Sequence, residues 1–159
     1  MPLPEARPGL VFRYEYLWKR QASAGQTVGE KERPACMVLA VAGQAGGQRV
    51  LIVPITSQLP AGNVPVVEIP PAVKRHLGLD VDYPSWIILN EANIDSWPTP
   101  DMRPIPGKPG VFEYGLLPLK LVNGIREIIL AALAAKQLAC VTRDDDPPPP
   151  SSSISGPGM

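Results

Sequence analysis

The stretch "GEKERPACMVLAV", Gly29 to Val41, decides how the chain is read. It opens with charged residues and passes, at Arg33-Pro34, into an almost unbroken apolar run. Such a run, bounded by polar and glycine-bearing sequence, fits a buried strand. Continued to Gly43 it reads as the central strand of a sheet. Proline disfavours the α region for the residue before it. Arg33 is therefore expected to be extended, its side chain limited in direction, where a polar loop meets a rigid strand.

Outward from that strand, "GLVFRYEYLW" (Gly9–Trp18) sets Phe12, Tyr14 and Tyr16 against Arg13 and Glu15, the alternation of a half-buried strand. "KRQASAGQTVGEKER" (Lys19–Arg33) lacks periodicity and reads as a loop, longer than the roughly 2–5 residues usual in a hairpin. "RVLIVPITSQ" (Arg49–Gln58) is a strand ending in hydroxyl and amide groups. "NVPVVEIP" (Asn63–Pro70) is an edge strand, because Pro65 has no ladder donor. "PPAVKRHLGL" (Pro70–Leu79) is a short helix with proline in its first turn and Gly78 past its end. "SWIILNEANIDSW" (Ser85–Trp97) forms one or two strands around a polar kink, and residues 98–110 are irregular.

"LPLKLVNGIREIILAALAAKQL" (Leu117–Leu138) is an amphipathic helix. Pro118 suits its first position, and Leu121, Ile125, Ile128, Ile129, Ala132 and Leu133 share one face. Lys136 falls near the end, where a cation is favoured. These elements predict a mainly β domain over residues 9–140, a small curled sheet or barrel closed by the terminal helix. Residues 1–8 form an extension. Residues 141–159, acidic, then proline-rich, then Ser/Gly-rich, are expected to be disordered.

Composition narrows the function. The 159 residues suit one domain, and 45% hydrophobic content supplies a core. The 21 prolines exceed the usual share of about 5% and argue against a helical bundle. The formal net charge is zero. A protein that grips nucleic acid by bulk charge is basic, so any such site must be a local patch. Cys36 and Cys140 match no zinc or CxxC spacing, and His76 is the single histidine, so neither a metal nor a cofactor is expected. No apolar run reaches the roughly 20 residues of a membrane span. The first twelve residues lack the basic-then-apolar form of a secretory signal. A cytoplasmic protein without membrane contact is expected.

Walker A, GxGxxG, HExxH and GxSxG motifs are absent from the sequence. The remaining candidates are Arg33, the strand end Thr56-Ser57-Gln58, and the kink Asn90-Glu91-Ala92-Asn93. From residue chemistry alone each has two readings. Arg33 is a phosphate-binding fork of donors or a solvated arginine paired with Glu30 or Glu32. Thr56 and Ser57 are phosphate donors or turn caps. Glu91 is a general base or a surface acid. Trp86 and Trp97 stack bases or fill the core.

The order of these pieces resembles the MazF/PemK family of endoribonuclease toxins from type II toxin–antitoxin systems. The resemblance rests on "RPGLVFRYEY", on Gly29, Glu30, Arg33 and Pro34 as "G-E-x-x-R-P", on "ACMVLAV", on "VPITSQ", on "IILNEANID" and on "YGLLPLKL" opening a helix. It covers most of residues 8–135. It implies an SH3-like barrel with a C-terminal helix, usually a homodimer, to which the short helix of "PPAVKRHLGL" is an insertion in this chain. It also implies growth inhibition through metal-independent cleavage of single-stranded RNA, the ribose 2′-hydroxyl attacking the adjacent phosphate. By motif, Arg33 and Thr56 lie at that phosphate. Ser57, Gln58, Glu30, Glu91 and Asn93 support RNA binding, and a cognate antitoxin competes at the Lys19–Arg33 loop. In many members a basic residue follows the kink, and Asn93 stands there instead. The alternative function is a catalytically weak or inactive barrel that acts by protein binding, either as a toxin like the related gyrase inhibitors, which keep the fold, or as an adaptor.

Overall fold

A computed structural model describes residues 3–27, 29, 31–42 and 47–143. In chain order the elements are β1 (Leu10–Tyr14), α1 (Lys19–Ser23), β2 (Arg33–Ala42), β3 (Gln48–Thr56), β4 (Val66–Glu68), α2 (Pro71–Leu77), β5 (Trp86–Ile88), β6 (Glu91–Trp97), β7 (Glu113–Leu116), α3 (Leu119–Ala134) and β8 (Ala139–Thr142). The fold is mainly β. The strand order is β4-β5-β3-β2-β1-β7, with β6 also on β3 and β8 on β6. All pairs are antiparallel except β6–β8, which is parallel. The result is a curled half-barrel with three short helical segments.

Two cores explain the unbroken apolar run. Strand side chains alternate between faces, and here both faces are covered. Val11, Cys36, Val38, Val53 and Ile55 pack towards α2 and α3, beside Leu77, Ile125 and Ile129. Leu10, Phe12, Tyr14, Ala35, Met37 and Ile52 enter the other core with Tyr16, Trp97 and Met102. β2 lies between β1 and β3, so its run has no solvent face to mark with polar residues. Burial holds the Cys36 thiol up at about 12 and keeps it protonated.

The short elements follow their local chemistry. α2 has proline in its first turn, and Gly78 ends it at φ 75°, the left-handed region that glycine enters without strain. α3 is shorter than the periodicity predicts, and Pro118 is its N-cap rather than its first residue. Its buried face is Val122, Ile125 and Ile129, whereas Ile128 and Leu133 are exposed. The sequence pattern was ambiguous there, because leucines and isoleucines occupy most of the helix surface. The Lys19–Arg33 segment is not wholly loop, since α1 forms within it.

The expected boundary at residue 140 is too early. Val141 is buried, β8 runs to Thr142 beside β6, and Arg143 is buried too. A four-residue strand flanked by an acidic run carries little pattern of its own. It orders because β6 offers it a free edge, with Glu91 opposite Ala139 and Ile94 opposite Thr142.

Candidate functional site

The site begins where one edge of β3 changes partner. Gln48–Ile52 pair with β6, whereas Ile55 and Thr56 pair with β5. Val53 and Pro54 lie between, and Pro54 has no N–H to give a ladder. β5 and β6 therefore part at Leu89-Asn90. A cleft of about 640 Å³ opens there, lined by Trp18, Arg20, Arg33, Thr56, Asn90 and Glu91, among others.

Arg33 reaches this cleft from the start of β2. The β2–β3 register sets Ala35 opposite Pro54, and one further two-residue step brings Arg33 across from Thr56. The Arg33 guanidinium carbon is 5.0 Å from the Trp18 ring centre, and that of Arg20 is 5.2 Å from the same ring. Buried Arg33 Nε has no hydrogen-bond partner among the described residues. Glu32 pairs with Arg13 at 3.2 Å, and Glu30 lies outside the described residues. Burial, and then the Arg20 and Arg13 cations, lower the Arg33 pKa. An arginine so placed stays charged, and it lacks a counter-charge among the described residues.

The strand end serves two purposes. Thr56 Oγ1 accepts a hydrogen bond from Gln58 N at 3.2 Å, so it caps the turn. Its own O–H is still available to donate. Ser57 and Gln58 are exposed on the same wall. Asn90 Oδ1 is buried at the cleft and has no partner among the described residues. Unsatisfied buried polar atoms are uncommon in folded proteins, and this cleft has two.

Glu91 is placed by structure rather than left on a surface turn. Its Oε1 accepts from Tyr16 Oη at 3.1 Å and from Lys19 N at 2.9 Å, tying the start of α1 to β6. Burial and the Glu91 carboxylate hold the Tyr16 phenol well above its usual pKa of 10.0, so it remains a donor.

Asn93 is not at the cleft, which corrects its assignment to RNA binding. It is fully buried, accepts from Leu17 N at 2.9 Å and donates to Leu17 O at 2.7 Å. β6 alternates, and Asn93 points inward to clamp the turn between β1 and α1. Trp97 also belongs to the scaffold, buried against Phe12, while half-buried Trp86 lies opposite Thr56 in the β3–β5 pair. His76 sits exposed on α2.

Sequence reasoning missed Trp18, Arg20 and Lys31. A signal for Trp18 was present, since it continues the two-residue aromatic period of Phe12, Tyr14 and Tyr16. Those rings form an edge-to-face ladder, with Tyr16 and Trp18 centres 5.1 Å apart. Gly29 also has a physical reason. A Cβ there would stand 2.4 Å from Tyr16 O, so the incoming chain passes where no side chain fits.

A second cleft, about 510 Å³, lies on the other side of Arg33. It shares Lys31, Arg33, Thr56 and Ser57 with the first and adds Arg13, Tyr83 and Tyr114. Among the described residues, no group of three or more His, Cys, Asp or Glu could hold a metal ion. No helix among them is long and apolar enough to cross a membrane. Comparison of the chain with protein-family models, with curated proteins and with solved structures finds no match.

Proposed function

We propose that the protein is an endoribonuclease toxin of the MazF/PemK type. In this reading it is an SH3-like barrel that works as a cytoplasmic homodimer, cuts single-stranded RNA without a metal and inhibits growth until a cognate antitoxin covers the cleft. One observation carries the reading: Arg33, whose buried Nε has no partner among the described residues, and the Thr56-Ser57 strand end line one cleft. A fixed cation and hydroxyl donors suit a phosphodiester, whose reaction concentrates negative charge on the non-bridging oxygens.

The ribose 2′-oxygen attacks the adjacent phosphorus and the bond to the 5′-oxygen breaks. The products are a 2′,3′-cyclic phosphate and a 5′-hydroxyl. The proton lost from the 2′-oxygen is balanced by one gained at the 5′-oxygen. Arg33 stabilises the phosphorane charge, and donors fixed in advance do so without reorganisation. Thr56 and Ser57 orient the phosphate. Glu91, the carboxylate of the cleft, takes the 2′-proton.

The test is cleavage of single-stranded RNA by purified protein in EDTA, with end-group analysis. The expected result is cyclic-phosphate ends and a rate about 10²–10³ lower in Arg33→Ala. Intact RNA with both proteins overturns the reading. A second reading, a barrel that acts by binding a protein, is favoured by α3, where Leu119, Leu130 and Leu133 face solvent. It requires that toxicity persist in Arg33→Ala while RNA stays whole.

A further inference from the structure

We propose that the second cleft is a nucleotide lobe, with Tyr83 as its stacking face. It would hold the RNA residue on the far side of the scissile phosphate from Trp18. This inference rests on the endoribonuclease reading and adds to it the extent of the substrate.

The shared wall is the first argument. Lys31, Arg33, Thr56 and Ser57 face both clefts, so the two spaces form one groove with these residues as its saddle. A phosphate held on the saddle has sugar and base on both sides. Each cleft falls within the roughly 300–1,000 Å³ typical of small-ligand sites. On the near side Trp18 offers an aromatic ring, and on the far side Tyr83 and Tyr114 do.

The construction of the far lobe is the second argument. Tyr83 is 63% exposed, the barest large hydrophobic side chain among the described residues but for Leu119, so it contributes little to the core. Yet its main chain is firmly held. Lys74 is 2% exposed and its ammonium donates to Tyr83 O. Asp82 N donates to Asp80 Oδ1 at 2.8 Å, and Ile69 N donates to Ser85 O at 2.9 Å. Trp86, which follows this segment, pairs directly opposite Thr56. A buried lysine thus fixes the main chain that carries an exposed aromatic beside the Thr56 strand end. With that backbone already ordered, only the ring's own rotamer freedom is given up on stacking, which lowers the cost of a base platform.

Charge is the third argument. The far lobe carries Arg13, Lys31 and Arg33 against Glu32 and Asp80. Arg13 is occupied by Glu32 at 3.2 Å and by Tyr114 Oη at 3.3 Å, which holds that wall in shape. The surplus cation suits a phosphodiester strand crossing the saddle.

The experiment compares the full-length protein with Tyr83→Ala and Tyr83→Phe. The probes are a randomised single-stranded RNA pool and its uncleavable 2′-O-methyl counterpart. Tyr83→Ala should raise KM, and the Kd of the 2′-O-methyl pool, roughly five- to a hundredfold, as loss of one stacked base does. kcat should be largely kept, since the lost contact is equal in ground and transition states. Tyr83→Phe should match the parent, because stacking needs the ring and not the hydroxyl. If the parent cuts RNA and Tyr83→Ala has the same KM and Kd, the lobe is empty and the nuclease reading stands. If the parent neither cuts nor binds the pools, both fall.

Discussion

Arg33 and Arg143 are two arginines at strand ends, each packed over a ring of the same aromatic ladder. Their surroundings are opposite. The Arg143 side chain is 2% exposed and pairs with Asp101 at 3.0 Å. It donates to Asn93 Oδ1 at 3.3 Å and to Glu15 O, and its guanidinium carbon is 5.3 Å from the Tyr14 ring centre. Arg33 faces Trp18, has Arg20 and Arg13 as its charged neighbours, and keeps its buried Nε unpartnered among the described residues. A buried cation paired with a carboxylate and donating to two further groups is part of the scaffold. A half-buried cation with directions to spare, at a cleft, is poised for an anion from outside. A chain of contacts also joins the two positions. Arg143 holds Asn93, Asn93 holds Leu17, and Leu17 precedes the Trp18 on which Arg33 lies.

The comparison is sharpest at Arg143, where the largest loss of stability is expected. Arg143→Met removes the cation but leaves Asp101, Asn93 and the Glu15 carbonyl facing its vacated place. Breaking a buried pair in this way costs about 3–5 kcal/mol, readable as a lower urea midpoint with unchanged slope. A cost near zero would make Arg143 a bystander and remove the contrast. Truncation after Leu138, which deletes β8, should be at least as damaging. Asn93→Ala should be of similar size, because it acts on two groups at once. It strips both Leu17 main-chain groups of their partner, at about 1–3 kcal/mol for each group left unsatisfied. Because Trp18 follows Leu17, this variant should also lower RNA cleavage if the proposed function holds, whereas exposed α2 residues such as His76 should not matter to either measurement.

The legibility of the chain follows the same division. β1, β2 and β3 were readable because two-residue alternation and unbroken apolar runs are set by covered sheet faces. The α2 stop at Gly78 was readable because a left-handed φ calls for glycine. Arg33 and Thr56 could be singled out because proline and a strand end mark them locally. β8 and Arg143 could not. A lone arginine before an Asp run looks like tail, and only the free edge of β6 and the acid beneath it give it a place. Asn93 was misassigned for a related reason: strand parity decides whether a polar residue faces the cleft or the core, and the kink at Asn90 hides the parity. Tyr83 had no pattern around it at all, since its meaning comes from a lysine nine residues earlier.

Asp101 gives a smaller, pH-dependent test of the scaffold half. The Arg143 cation pulls its carboxyl down, but burial pushes it up further, and the pKa ends above its ordinary 3.8. With the folded value raised, the stability it contributes is fully present below the unfolded value and is lost as pH rises through the folded one. Asp101→Asn stays neutral throughout. It should therefore gain on the parent protein as pH is raised from about 3 to about 7, and it should cost less than Arg143→Met at every pH. Thermal midpoints of the two proteins across that range check the sign. A variant that instead loses ground with rising pH would mean that the ion pair outweighs burial.

The smallest effect on stability is expected at Arg33, and it is the most discriminating. Arg33→Leu gives up the contact with Trp18, worth about 0.5–1 kcal/mol for a cation over a ring at an exposed site. It also relieves a desolvated cation that two neighbouring arginines oppose. Leucine keeps apolar cover over the indole, so these terms offset and the net change should stay within about 0.5 kcal/mol. If the proposed function holds, RNA cleavage should nevertheless fall as far as in Arg33→Ala, because the lost donors would act on the phosphorane and not on the fold. Unfolding and cleavage measured on one preparation separate the two roles. Were Arg33→Leu to cost as much stability as Arg143→Met, Arg33 would be a second scaffold arginine, and the cleft would lose the residue on which its chemistry depends.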